Sequence, residues 1–160
     1  MNIPELEAKA LWVRQQVLKM AVRADSGHVT TAMSQTEILV SLYYGGILRH
    51  DPANPQWHGR DIFILSKGQG GIGLYPILAD RGYFPLSDLE NFCGPGSKIG
   101  VHAESHCPGV EILSGSLGHG LPIATGMALA LKNEGSDRLV FVLVGDGELQ
   151  EGSNWEALMF

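Results

Sequence analysis

Apolar residues at Leu6, Ala10, Val13, Val17 and Met20 recur at steps of four and three, the spacing of one buried helix face. Asn2 and Glu5 stand ahead of that face at capping-box spacing, which predicts a helix that starts beside them and fails near Ser26-Gly27-His28. The same spacing at Ser34 and Glu37 predicts the start of a second helix, carrying Ile38, Leu39, Leu42 and Tyr43 to a break at Gly45-Gly46. HDPANPQWHGRD reads as a loop and DIFILS as a short strand, followed by a glycine-rich turn and a helix from Leu74 to Asp80. Ser87 to Glu90 repeats the capping signature, and residues 93–118 are irregular. GLPIATGMALALK predicts a close-packing helix, LVFVLV (139–144) a second strand, and Ser153 to Glu156 the cap of a last helix.

Strands that lack alternation and are separated by helices predict a parallel sheet covered on both faces. The expected fold class is therefore α/β, a parallel sheet flanked by helices, in one domain over residues 1–160. Two strands are few for such a sheet. The domain is expected to be incomplete at its C-terminus, with Leu139 to Val144 on an open edge that favours association.

Composition narrows the function classes. The chain is 44 % hydrophobic and 18 % charged, a globular balance. The apolar run Leu139 to Val144 is far below the ~20 residues of a membrane helix, and no signal-peptide pattern opens the chain. A formal net charge of −6 with no basic stripe argues against nucleic acid as a partner. Cys93 and Cys107 form no CxxC pair, which points to a reducing cytoplasm.

Two glycine motifs are candidates for chemistry. GQGGIG (Gly68 to Gly73) fits the GxGxxG pattern, but two helices precede it and no acid ends a second strand about 20 residues on, so dinucleotide binding is disfavoured. Gly145-Asp146-Gly147 sets an acid at the carboxyl end of a strand, where parallel sheets gather ligands. A hard oxygen there suits Mg²⁺ shared with a diphosphate, whereas the bland reading is an ordinary Asp-Gly turn.

Four stretches occur in order: SGHVTTAMSQTEILVSLYYG, DIFILSKGQGGIGLYPILADRGYF, PGVEILSGSLGHGLPIATGMALA and VGDGELQEGSNWEA. Together they resemble the N-terminal, thiamine-diphosphate-binding part of transketolases, particularly the separate N-terminal subunits of split transketolases. The resemblance implies thiamine diphosphate and Mg²⁺ (or Ca²⁺) as cofactors, with Asp146 as metal ligand and Gly147 against the phosphates. Gly115, Ser116 and Leu117 would flank the cofactor, and His28 and His102 would line the substrate channel as proton carriers. Glu151 matches an acid near the subunit contact, and equally reads as a solvated residue before Ser153.

There are two departures. Gln69 stands where the family has a histidine, and keeps an amide donor without a transferable proton. His119 replaces a glutamine in GSLGHG. The family signature also continues past GDG to an asparagine of the metal site, and its activating glutamate belongs to a second, pyrimidine-binding domain. The expectation is the cofactor-binding portion of a transketolase-like transferase moving a two-carbon ketol unit between ketose and aldose sugar phosphates. It would be inactive alone and would partner a C-terminal pyrimidine-binding subunit in a homo- or hetero-oligomer, in the cytoplasm, away from membrane and nucleic acid. The alternatives are a non-catalytic remnant, or another thiamine diphosphate enzyme such as a deoxyxylulose-phosphate synthase or a 2-oxo-acid dehydrogenase subunit.

Overall fold

A computed structural model describes residues 1–160. Helix α1 (Ile3–Ala24) starts on the predicted capping box: the Asn2 side chain accepts from the Glu5 amide at 3.0 Å, and the Glu5 carboxylate accepts from the Asn2 amide at 2.8 Å. Its Ala10, Val13, Val17 and Met20 are buried, and the helix stops where Asp25 turns left-handed.

Helix α2 (Val29–Tyr44) begins six residues earlier than the Ser34–Glu37 spacing predicts. Gly27, at φ +110°, turns the chain, and His28 takes the N-cap position of the helix without a side-chain cap bond. Ser34 lies inside it and donates to the Thr31 carbonyl, while Glu37 is drawn out to Arg14 at 2.6 Å. Two further predicted caps are absent. Ser87 to Glu90 lies in a 3₁₀ segment (Leu86–Asn91) without a side-chain cap. Ser153 donates to the Gly118 carbonyl at 2.6 Å instead of capping α5 (Gly152–Met159). At both places a tertiary or alternative backbone arrangement outcompetes the local signature.

Strand β1 (Ile62–Leu65) pairs in parallel with β2 (Val140–Leu143), register Ile62↔Val140 to Leu65↔Leu143. Helix α3 (Gly71–Arg81) follows β1, and α4 (Gly120–Asn133) precedes β2. Side chains of both strands alternate between two layers. Phe63, Leu65, Phe141 and Leu143 face the larger core built with α1, α2 and α3, while Ile62, Ile64, Val140 and Val142 face Ala124 and Leu131 of α4. The expected α/β class, a parallel sheet flanked by helices, is thus the architecture. Burial on both faces makes β1 uniformly apolar, and β2 at the edge is only half buried. Beyond it α4 and α5 expose Ile123, Leu129, Trp155 and Leu158. No helix is long and apolar enough to cross a membrane.

GQGGIG is a packing device. A Cβ on Gly70 would meet the Gln35 amide oxygen at 2.5 Å, and one on Gly73 would meet the Gln35 amide nitrogen at 2.8 Å. The glycines let α3 approach α2.

Candidate functional site

Both strands end at one side of the sheet, and four loops converge there. The ladder runs one step past β1, with the Ser66 amide donating to the Leu143 carbonyl at 2.9 Å. The Gly68 carbonyl accepts from Ala103, and the Ala103 carbonyl accepts from Ser114, at 3.1 and 3.2 Å. These bonds lash the loop after β1 to the segment holding His102 and to the one opening GSLG. Contact is so close that a Cβ on Gly68 would lie 1.6 Å from the Ser114 carbonyl oxygen. Buried Tyr75 sets its hydroxyl 3.0 and 2.8 Å from the Gly100 and His102 carbonyls, fixing the backbone that presents His102.

An open cleft of about 430 Å³ lies over this junction, lined by His28, Thr30, Thr31, Gln69, His102, Gly115 and Leu117. Five of the eight residues singled out from the sequence thus share one cavity. The His28 and His102 rings sit with centroids 5.9 Å apart, tilted by 55°. Of the other three, Ser116 is exposed beside Gly115, and Asp146 and Gly147 are exposed at the tip of β2, outside the cleft lining. The GSLG and GDG loops are nonetheless neighbours, because the amides of Gly118 and Gly145 donate to the same Glu148 side chain, each at 2.9 Å.

Sequence reasoning passed over several residues here. Lys67 is 6 % exposed, and its ammonium donates to the Thr31 carbonyl and Ser34 hydroxyl at 3.2 and 3.4 Å. Burial lowers its pKa below the ordinary lysine value, and the charges of Asp146 and Glu148 pull it back up. A lysine directly after a buried apolar strand was the available signal. Thr30 and Thr31 line the cleft because α2 starts early. Gly147 and Gly115 have open space where a Cβ would stand, so a ligand can approach their backbone.

This donor set fits a diphosphate cofactor: exposed backbone at two glycines, a lysine ammonium behind, and one hard carboxylate oxygen at Asp146. No group of three or more His, Cys, Asp or Glu side chains could hold a metal ion. A lone acid suits a cation shared with phosphate oxygens, not one caged by protein alone.

Fold and cleft together define an α/β domain whose cavity lies beyond the carboxyl ends of its parallel strands, the ligand position of that class. The family model described as transketolase, thiamine diphosphate binding domain, matches residues 7–160. The chain belongs to that family.

It is 45 % identical to one subunit of the apulose-4-phosphate transketolase of Actinobacillus succinogenes, over 99 % of this chain and 58 % of that protein. It is 38 % identical to 6-deoxy-6-sulfo-D-fructose transketolase subunit SqwG of a Clostridium species, over 98 % of this chain and 57 % of that one. The crystal structure of Campylobacter jejuni transketolase superposes with a TM-score of 0.91 at 37 % identity, covering 98 % of this chain and 26 % of that chain. The chain thus spans a little over half the length of these two subunits.

Proposed function

We propose that this chain is the cofactor-binding portion of a transketolase-like enzyme that moves a two-carbon ketol unit between sugar phosphates. The observation that carries the reading is the shared cleft of His28, His102, Gln69, Gly115 and Leu117, set beside Asp146 at a strand tip. The subunit names of its relatives support a partner chain carrying the pyrimidine-binding domain.

Asp146 would hold a divalent cation, Mg²⁺ or Ca²⁺, which would supply positive charge for the diphosphate of thiamine diphosphate. Gly147 would lie against the phosphates. Backbone groups of Gly115, Ser116 and Leu117 would flank the cofactor, and Gln69 would donate an amide hydrogen bond. When bound, thiamine diphosphate supplies the carbon–carbon cleavage and formation chemistry next to a carbonyl. His28 and His102 lie near enough to serve one sugar, holding or moving protons at its hydroxyls. Lys67 would add positive charge behind the site. Activity would require the partner and is absent from the isolated chain.

Calorimetric titration with thiamine diphosphate and Mg²⁺ tests the cofactor reading. A saturable heat is expected, and none at millimolar ligand favours the non-catalytic remnant to which Gln69 points. Adding a complementing pyrimidine-domain chain and a ketose phosphate tests the transfer. Turnover by the 160-residue chain alone would overturn the dependence on a partner.

A further inference from the structure

Glu148 is 2 % exposed, and its carboxylate takes three hydrogen bonds beside the cleft, two of them from other loops. One carboxylate oxygen accepts from the Ser66 hydroxyl at 2.5 Å and from the Gly118 amide at 2.9 Å. The other accepts from the Gly145 amide at 2.9 Å. The three donors belong to the loop after β1, the GSLG loop and the GDG loop. The far end of the residue is held too, because the buried Asn154 amide donates to the Glu148 carbonyl at 2.7 Å.

A carboxylate matches this position best. The two amides and the hydroxyl all donate, and a carboxylate is the side chain that only accepts. Backbone bonds tie these loops only at their bases, through Ser66, Ala103 and Ser114, whereas the Gly118 and Gly145 amides find their acceptor in Glu148. An unpaired amide buried at their junction would be costly.

We propose that Glu148 is the positioning residue of the cofactor site: its carboxylate sets Gly118 and Gly145 at a fixed separation and so aims Asp146 and the Gly115–Leu117 backbone at one ligand. This rests on the cofactor reading above. Glu148 acts through the loops and touches no ligand itself. Residues that orient metal-binding groups from behind typically govern affinity by about 10–100-fold.

Amide hydrogen exchange on the full chain without ligand tests the clamp, and calorimetry with thiamine diphosphate and Mg²⁺ tests its consequence. Glu148→Gln keeps the shape but turns an NH₂ toward a donor. Its remaining oxygen can keep Ser66 and Gly118, so exchange at Gly145 should rise about ten-fold or more while Gly118 stays protected. Glu148→Ala should release both amides, and Ser66→Ala neither.

Cofactor affinity should fall about ten-fold or more in both Glu148 variants. Val17→Ala, a core variant remote from the loops, should lower the melting temperature and leave affinity unchanged. Wild-type exchange at Gly118 and Gly145 in Glu148→Ala would overturn the clamp. Should that variant fail to fold, unchanged exchange at Gly145 in Glu148→Gln would do the same. Wild-type cofactor affinity in a folded Glu148 variant would overturn the positioning role. If the wild-type chain itself binds no cofactor, the proposed function fails, and amide exchange still decides the clamp.

Discussion

His28 and His102 present their rings to one cleft with centroids 5.9 Å apart, although one stands just ahead of α2 and the other in an irregular loop pinned by Tyr75. Groups that serve one substrate should behave as a unit. In the assembled enzyme, His28→Ala and His102→Ala should each lower kcat by about 10²–10⁴-fold. The double variant should lose less than the product of the two. Steady-state kinetics read the first effect, and an unchanged cofactor affinity by calorimetry places it at the sugar.

Asp146 is exposed at the tip of β2, so its removal should spare the fold and damage the site. Asp146→Ala should leave unfolding free energy within about 0.5 kcal/mol of wild type. Affinity for thiamine diphosphate in Mg²⁺ should fall by at least the 10–100-fold typical of residues behind a metal site, about two decades here. Parallel urea unfolding and calorimetry separate the two. A stability loss without an affinity loss would remove Asp146 from the site.

Among the glycines Gly68 has the least room for a side chain, with the Ser114 carbonyl where its Cβ would be. Backbone cannot swing aside as a flexible side chain can. Gly68→Ala should destabilise by about 1–3 kcal/mol, the usual cost of overpacking, measured as a lowered urea midpoint. Gly46→Ser, where nothing lies within 4 Å but φ is +76°, isolates the cost of backbone strain without a clash.

Asp61 secures the opposite end of the sheet, its side chain 1 % exposed. It accepts from the Arg49 amide, the Arg49 guanidinium and the Leu139 amide at 2.8–3.1 Å. Burial pushes its pKa up, but the bonds from Arg49 and Leu139 outweigh burial and leave it below the ordinary aspartate value. The folded state therefore favours the ionised form. The stability Asp61 contributes is present above the unfolded pKa of 3.8 and lost as pH falls through the lower folded value. Asp61→Asn should cost about 1–3 kcal/mol at pH 7, and the gap to wild type should shrink in urea melts below pH 3.8.

The apolar spacing of α1 named its buried face because a helix of six turns repeats its signal until chance matches are swamped. Capping signals did not share that redundancy. Ser34–Glu37, Ser87–Glu90 and Ser153–Glu156 have the same spacing as Asn2–Glu5, yet none is a cap, since each rests on two residues that tertiary partners can recruit elsewhere. The cleft was legible where motifs carried it, through His28, Gln69, His102 and Gly115. Glu148 and Lys67 were not, because their bonds to Ser66, Gly118 and Thr31 join segments remote in the chain.

Local order in the chain determined the succession of helices and strands and the covering of the sheet on both faces, since periodicity and burial are properties of neighbouring residues. Tertiary structure alone decided that GSLG and GDG meet on one carboxylate, that α2 opens at His28, and that Lys67 lies under Thr31. A donor chooses its acceptor by distance and desolvation in space, and a linear pattern contains neither.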